Sequence, residues 1–363
     1  MRIAFYGSSL LSSYWNGAAT YYRGVLSDLA RRGHAITFYE PDAFERQQHR
    51  DIDQPDWAKV VVYPATEAAA HKVIAEAANA DVVVKASGVG VFDDLLLEGV
   101  VAASRPAAIR IFWDVDAPAT LAQISADPDH PIRRVLPALD MVLTYGGGPP
   151  VVSAYEALGA ARCVPIYNGL DASTHHPVVP DERYRCDLAF LGNRLPDREA
   201  RVESFFVEPA ARLADRSFLI GGNGWDSRSL PQNVRNLGHV YTRDHNAFNA
   251  TPLAVLNIAR DSMATTGFSP ATRVFEAAGA GGCLITDAWK GIELFLQPGE
   301  EVLVARDGQE VAELLEALTP ERARAIGKAA LRRVLADHTY SRRGAEVDAL
   351  LAIAGRKREC AAA

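Results

Sequence analysis

The sequence predicts an α/β protein with two Rossmann-like domains, each a parallel β-sheet covered by helices, facing one another across a cleft. Three observations lead to this prediction. Apolar runs of strand length alternate with helix-length segments, which is typical of parallel sheets covered on both faces. The alternation occurs in two successive series, with an irregular segment between them. The 363 residues are also enough for two cores of ordinary domain size.

The first series begins at the N-terminus. "RIAFYG" has the pattern of a strand, and "AATYYRGVLSDLARRGH" has helical periodicity that ends at Gly33. Further strand-like runs follow at intervals of helix length: "AITFYEP", "ADVVVKASG", "AAIRIFWDVD" and "LDMVLTYGGG". We expect this N-terminal domain to span residues 1–165.

The irregular segment is "CVPIYNGLDASTHHPVVPDERYR", whose Pro, His and Asp content and lack of periodicity are typical of a linker. The second series of strands follows it, as "CDLAFLGNR", "SFLIGGNGW", "NVRNLGHV", "LAVLNIARD", "GGCLITD" and "EVLVARD". We expect a second domain over residues 166–335. Residues 336–363 are predicted to form a terminal helix that crosses back to the first domain, and then a frayed tail.

Composition limits the classes of function. The formal net charge of −7 argues against a dedicated nucleic-acid binder. The scattered cysteines include no C-x-x-C pair, so we expect a reducing, cytoplasmic location; they are Cys163, Cys186, Cys283 and Cys360. No apolar run approaches the roughly 20 residues of a membrane span, and the N-terminus lacks the apolar core of a signal peptide. The oligomeric state is not predicted.

The segment "SPATRVFEAAGAGG" predicts a helix with a ligand-binding face. Ser269 suits the N-cap and Pro270 the first helical position, and the amides of such a helix start can hold a phosphate. Arg273 and Glu276 are three residues apart and therefore share one face. The guanidinium suits a diphosphate, and the carboxylate can accept hydrogen bonds from ribose hydroxyls. The alternative is an ordinary surface ion pair, which contributes less than about 1 kcal/mol.

The second half of the chain resembles a known enzyme family. "SPATRVFEAAGAGGCLITDAWKGIELFLQPGEEVLVARD" is similar to the donor-binding region of GT-B glycosyltransferases, particularly the branch resembling the spore-maturation protein CgeB. "VPIYNGLDASTHHP" resembles the segment that joins the two domains in many retaining GT-B enzymes. The resemblance covers roughly residues 165–307, and the N-terminal domain only in outline.

This resemblance implies a hexosyltransferase that needs no metal and no tightly bound cofactor. Its co-substrate would be a UDP-, GDP- or dTDP-sugar, and its acceptor a hydroxyl or other nucleophile of a glycan, a small molecule or another partner. Glu276 corresponds to the second glutamate of the E-x7-E motif, which binds the ribose. The first glutamate is replaced by Phe268, so Asp287 and the backbone around Lys290 and Gly291 are the expected sugar contacts. The remaining donor-site candidates come from a separate rule, that open parallel sheets bind ligands beyond the carboxyl ends of their strands. The candidates that follow strands of the second series are Asn193, Arg194, Gly222, Asn223 and Arg260.

The catalytic candidates lie in the first domain. An inverting transfer needs a base for the acceptor hydroxyl. Asp114 and Asp116, in "FWDVDAP", end a strand there, and Asp116 is preferred because the following Ala-Pro would hold it at the loop mouth. The alternative is that both are turn or capping carboxylates. His175 and His176 have no third ligand nearby in the sequence, so no metal site is expected.

Other classes of function are less well supported. "DVD" matches the metal-binding D-x-D motif of GT-A glycosyltransferases, but "DID" and "DPD" elsewhere match it equally. "YGSSLLSSYWNG" is not the G-x-G-x-x-G of a dehydrogenase. Two alternatives stay open: a nucleotide-sugar 2-epimerase on the same scaffold, and an inert nucleotide-sugar-binding protein. The sequence does not predict the sugar, the base, the acceptor, or retention against inversion.

Overall fold

The computed structural model describes residues 1–14 and 16–362, which form two compact units. The first contains Met1–Tyr167 together with the chain from Tyr340 onwards, and the second contains Asn168–Thr339. Each unit is built on one parallel sheet, of seven and six strands respectively. The predicted α/β class with two parallel-sheet domains is therefore confirmed.

The sheet of the first unit has the order β3-β2-β1-β4-β5-β6-β7. Its central strands are mostly apolar because helices cover both faces; all five residues of "VVVKA" in β4 are buried, Lys85 included. The strands are β1 (Arg2–Tyr6), β2 (Ala35–Asp42), β3 (Ala58–Pro64), β4 (Val82–Ala86), β5 (Ile109–Asp114), β6 (Met141–Thr144) and β7 (Cys163–Pro165).

The described residues of the first unit contain seven α-helices. They are α1 (Ala19–Arg31), α2 (Glu67–Ala75), α3 (Asp93–Ala103), α4 (Ala117–Ala126), α5 (Pro131–Val135), α6 (Gly148–Ala157) and the C-terminal α14 (Tyr340–Ala362). Helix α14 belongs to the first unit, where Arg358 pairs with Asp140 at 2.7 Å. Position 363, in the tail predicted to fray, lies outside the described residues.

The sheet of the second unit has the order β10-β9-β8-β11-β12-β13. Its strands are β8 (Leu188–Leu191), β9 (Phe218–Gly221), β10 (Val234–Asn236), β11 (Ala254–Asn257), β12 (Leu284–Asp287) and β13 (Leu303–Ala305). Its helices are α7 (Pro196–Val202), α8 (Glu208–Arg212), α9 (His245–Ala250), α10 (Asp261–Thr266), α11 (Thr272–Gly279), α12 (Gly308–Ala317) and α13 (Pro320–Asp337). No helix within 1–14 and 16–362 is both long and apolar enough to cross a bilayer.

The sequence pattern missed two strands of the first unit. Strand β3 lies at the sheet edge and is only partly buried; its apolar run, VVVY at residues 60–63, lies in a segment interpreted as helix-length. Strand β7 has three residues and lies inside the segment interpreted as a linker. Both are edge strands, which need less apolar surface than the strands that they flank.

Helices α1 and α14 approach closely at a glycine. A Cβ atom added to Gly24 would lie 2.3 Å from ring atoms of Tyr340, so a larger side chain cannot fit without displacing α14. We expect Gly24→Val to lower the free energy of unfolding by about 1 to 3 kcal/mol, the usual cost of overpacking. The control is Gly17→Val, where no atom of the described residues other than its chain neighbours lies within 4 Å of an added Cβ. Equal melting temperatures for the two variants would contradict this contact.

Candidate functional site

The carboxyl edge of the second sheet collects the predicted donor-site residues. The strand order reverses between β8 and β11, and parallel α/β sheets bind ligands beyond such a point. The loops that leave the strands and the N-terminal turn of α11 lie at this edge. The predicted residues on these elements are Asn193, Arg194, Gly222, Asn223, Arg260, Ser269, Arg273, Glu276, Asp287 and Gly291.

Three of these residues tie the loops after β8 and β9 together. The Oδ1 of Asn193 accepts a hydrogen bond from the backbone N–H of Asn223 at 2.9 Å. Gly222 has a φ of 118°, and a Cβ there would lie 2.3 Å from the carbonyl oxygen of Gly192. Only glycine allows this approach of two backbones. Asn193, Gly222 and Asn223 therefore fix the shape of the edge where a ligand would bind.

Helix α11 begins later than predicted, and Ser269 is not its N-cap. The helix starts at Thr272, and the N-cap position is Ala271, which has no side-chain oxygen to offer. The hydroxyl of Ser269 instead donates to the carbonyl oxygen of Gly267 at 3.0 Å. The carbonyl oxygen of Pro270, also outside the helix, accepts from Asn168 Nδ2 at 3.1 Å. The predicted capping role of Ser269 is therefore wrong.

Arg273 and Glu276 share one face of α11, as the spacing predicts. Their closest atoms, Nη1 and Oε2, are 3.5 Å apart, and the side chains are only 16% and 19% exposed. Arg273 Nη1 also donates to Asn249 Oδ1 at 3.3 Å, while the buried Nε has no hydrogen-bond partner among the described residues. This long, partly buried pair is not an ordinary surface ion pair. Both side chains keep hydrogen-bonding capacity that a polar ligand can use.

Arginines gather beside this pair. Burial lowers the pKa of the Arg198 guanidinium, and the positive charges of Arg260 and Arg273 lower it further, against the opposite effect of Asp197. Arg198 lies over the ring of Phe190 and donates to the carbonyl oxygen of Asn193 at 2.8 Å. Like charges held this close repel one another, so an anion bound among them is stabilised.

The other two predicted arginines already have carboxylate partners. Arg260 is half-exposed and donates to Asp197 at 2.5 Å. Arg194 donates to Glu199 at 2.5 Å and to the hydroxyl of Ser227 at 3.1 Å. Arg194 is thus held by α7 and by the loop after β9, whereas Arg260 keeps part of its guanidinium in solvent.

Asp287 does not fit the sugar contact predicted for it. Its side chain is completely buried at the end of β12. Both carboxylate oxygens accept from the backbone N–H of Ala259 at 3.1 Å, and Arg201 pairs with the same group. Burial raises the pKa of this carboxyl, and the contact with Arg201 opposes that effect. Because it is enclosed and already bonded, Asp287 joins β12 to β11 and α7 rather than facing a ligand.

Phe268 stands where the resemblance places a sugar-binding glutamate, and it packs against the other predicted sugar loop. Its backbone has a φ of 49°, and its N–H donates to the carbonyl oxygen of Lys290 at 2.6 Å. The Lys290 ammonium lies 5.7 Å from the centre of the Phe268 ring. Gly291, with a φ of 96°, lies under that ring, and a Cβ there would approach it to 2.3 Å. Phe268, Lys290 and Gly291 therefore form one packed loop pair.

The structure brings together three possible metal ligands that the sequence keeps apart. One ligand atom from each of His175, His245 and Glu276 lies within 4.8 Å of the others. The expectation that His175 has no third ligand nearby is therefore wrong. His245 is on α9, far along the chain from the linker, and nothing in the sequence pattern connects the two. His176 is exposed and is not part of this group.

In the first unit, the structure separates the roles of the two catalytic candidates. Asp114 is completely buried and accepts from Tyr155 at 2.5 Å, Ser87 at 2.7 Å and Thr120 at 2.9 Å. Burial raises the pKa of this carboxyl, and the hydrogen bonds that it accepts oppose that effect. It also accepts from the backbone N–H of Asp116 at 3.0 Å. Asp114 therefore holds the loop, as in the alternative of a turn carboxylate, and does not suit a base that meets an acceptor.

Asp116 is the exposed member of this pair. It occupies the N-cap position of α4, but its side chain makes no capping hydrogen bond. Its carboxylate lies just beyond the end of β5, at the carboxyl edge of the first sheet.

Sequence reasoning missed Arg198, His245 and Asn249. Arg198 could have been found, because it lies in the first turn of the helix that follows β8, two residues after Pro196. The candidates were taken only from the loops that follow the strands. Including the first turn of the next helix would have added Arg198. His245 and Asn249 follow a short edge strand and carry no comparable signal.

Comparisons with known proteins agree with this architecture. Residues 198–350 match the family described as glycosyl transferase-like. No curated protein matches the sequence at a significant level. The chain is similar in structure to Anabaena HepE, solved in complex with UDP-glucose, with a TM-score of 0.68 and 13% identity over 97% of this chain and 99% of that one.

Two further solved structures show the same similarity. Sucrose-phosphate synthase from Thermosynechococcus elongatus matches with a TM-score of 0.68 and 14% identity over 100% of both chains. T4 phage BGT, solved in complex with its UDP-glucose substrate, matches with a TM-score of 0.55 and 11% identity over 98% of both chains. The fold is thus that of GT-B glycosyltransferase structures.

Proposed function

We propose that this protein is a glycosyltransferase that moves a hexose from a nucleotide-diphosphate-sugar to a hydroxyl or other nucleophile of an acceptor. The observation that carries the proposal is the partly buried Arg273–Glu276 pair, with unused hydrogen-bonding capacity, beside Arg198 at the carboxyl edge of the second sheet. These residues lie inside the segment that matches the glycosyl transferase-like family. The GT-B fold, and its neighbours solved with UDP-glucose, support the same proposal.

The donor is held by complementary charges. We assign the ribose hydroxyls to the carboxylate of Glu276, since a carboxylate accepts hydrogen bonds from two neighbouring hydroxyls. The diphosphate is assigned to Arg273 and Arg198, with Arg260 at the exposed side. Two guanidinium groups can stabilise the negative charge that develops on the leaving diphosphate, which is the role of a divalent cation in other transferases. Transfer should accordingly need no added metal.

The sugar is assigned to the loop pair around Phe268. Asp287 is withdrawn from this role because it is enclosed and bonded to Ala259 and Arg201. Lys290 is exposed, and its ammonium group lies over the Phe268 ring. We assign this ammonium as a hydrogen-bond donor to the sugar. The acceptor is assigned to the first unit, where Asp116 is the proposed base.

The test of the donor site is nucleotide binding by a Glu276→Ala variant. We expect it to lose about 1.5 to 3 kcal/mol of binding free energy, the range for hydrogen bonds to a charged group. Calorimetric titrations with UDP, GDP and dTDP measure the loss and identify the preferred base. At a concentration of about 100 times its Kd, the preferred nucleotide should stabilise the wild-type protein by about 2.7 kcal/mol.

The matched control is Glu316→Ala, which removes an exposed carboxylate from α12 in the same unit. It should bind nucleotide as the wild-type protein does. Equal affinity in folded Glu276→Ala and Glu316→Ala proteins would exclude Glu276 as the ribose ligand.

A further inference from the structure

We propose that His175, His245 and Glu276 form a binding site for a transition-metal ion of the Zn²⁺ type. Two imidazoles and one carboxylate are a common set of protein ligands for zinc, with a fourth position left to water or another ligand. The three ligand atoms already lie within 4.8 Å of one another. In a zinc complex each of these atoms would lie roughly 2.0–2.2 Å from the ion.

The hydrogen bonds around His175 leave a lone pair directed at the site. The single hydroxyl hydrogen of Thr174 is donated to the carbonyl oxygen of Asp171 at 3.2 Å. His175 Nδ1 is then the donor, and Thr174 Oγ1 the acceptor, of the 3.0 Å hydrogen bond between them. This assignment places the ring proton on Nδ1 and leaves Nε2 with a lone pair.

His175 Nε2 has no hydrogen-bond partner among the described residues, although its side chain is only 9% exposed. It lies 4.0 Å from the Oε1 of Glu276. Two acceptor atoms that face one another in a buried place repel each other unless a proton or a metal cation lies between them. This unsatisfied nitrogen is the main evidence for a bound metal.

The hydrogen bonding of His245 also leaves one ring nitrogen without a proton. Its Nε2 is 3.3 Å from the carbonyl oxygen of Val240, which can only accept, so this nitrogen carries the proton. Nδ1 is then the unprotonated nitrogen, whose lone pair can bind a metal. Metal-binding histidines usually donate their other ring N–H to such a carbonyl, which fixes the ring orientation. The ring centres of His175 and His245 are 6.4 Å apart, consistent with ligation from two sides.

Arg273 is the cation that faces the site, and it does not occupy the position of the metal. It lies 3.5 Å from Oε2 of Glu276, whereas His175 faces Oε1. The carboxylate can therefore bind a metal with one oxygen and the guanidinium with the other.

A metal bound here would compete with the nucleotide. Glu276 is also the proposed ribose ligand, so zinc and ribose would need the same carboxylate. This consequence, unlike the site itself, rests on the proposed function. Zinc is then an inhibitor, and a chelator should not lower the transfer rate.

The experiment is a zinc titration of the full chain in a Cys360→Ser background, which removes the exposed thiol as a competing ligand. Competition with a chromogenic chelator measures the affinity, and the visible absorption of bound Co²⁺ reports the ligand set. We expect His175→Ala and His245→Ala to bind zinc at least about tenfold more weakly, because even loss of a residue that only orients a ligand has this effect. His176→Ala, which changes an exposed neighbouring histidine, should bind as the parent does.

Two outcomes would overturn the metal site: no stoichiometric binding by the parent, or equal binding by all three histidine variants. Circular dichroism checks that the variants fold, and Glu276→Gln provides a conservative change with the same expected loss. A separate titration of UDP with and without zinc tests the competition. If zinc binds but UDP affinity does not change, the shared role of Glu276 is wrong and the metal site stands. If UDP does not bind at all, the donor proposal fails without affecting the zinc measurement.

Discussion

Replacement of Asp116 by Asn is expected to lower the turnover number by about 100-fold or more, with the affinity for the nucleotide unchanged. Asparagine keeps the shape of the side chain and removes the basic oxygen that would take the acceptor proton. The backbone of residue 116 should stay in place, because its N–H is held by the buried Asp114 at 3.0 Å. The side chain makes no capping bond with α4, so the substitution breaks no hydrogen bond to this helix.

The measurement is the release of UDP from UDP-glucose, with water or an added sugar as the nucleophile. Calorimetry with UDP measures donor affinity in the same preparations. Asp129→Asn, an exposed carboxylate after α4, is the matched control and should keep full turnover. A turnover equal to that of the control would exclude Asp116 as the base. A loss of UDP affinity instead would place Asp116 at the donor.

Strand positions followed from the sequence because burial on both faces leaves a continuous apolar run. All six strands predicted for the second unit are present, and each occurs within its predicted run. A second rule, that ligands bind beyond the carboxyl ends of parallel strands, identified the residues at this edge. It depends on chain order alone. Strand β7 was missed because its three residues are too few for such a run, and strand β3 was missed although residues 60–63 form one.

The partners of the site residues could not be read from the pattern. Asp287 follows a strand in the manner of a ligand contact, yet Arg201, far away in the sequence, reaches the same carboxylate. His175 acquires His245 and Glu276 as neighbours only when α9 and α11 pack together. Burial and pairing across long separations decide whether a polar side chain supports the fold or meets a ligand, and periodicity contains no information on either.

The Arg201–Asp287 pair should contribute strongly to the stability of the second unit. Arg201→Ala leaves a completely buried carboxylate without its countercharge, and loss of one partner of such a pair costs about 3 to 5 kcal/mol. We expect urea denaturation at neutral pH to show this loss. Hydrogen exchange should rise in β12 and β11 and stay unchanged in β4 of the first unit. Arg306→Ala, which breaks the exposed pair with Glu310, should leave stability unchanged.

The pH dependence distinguishes a lost charge pair from lost packing against Phe205, which lies beside Arg201. Burial already raises the pKa of the Asp287 carboxyl above its ordinary value, and removal of Arg201 raises that pKa further. An acid whose folded-state pKa is raised destabilises the fold while it is ionised. The penalty disappears as the pH falls through the folded-state pKa and the carboxyl becomes neutral. The defect of Arg201→Ala should therefore be smaller at about pH 5 than at about pH 7.5. A defect of the same size at both pH values would mean that Arg201 stabilises the unit by packing alone.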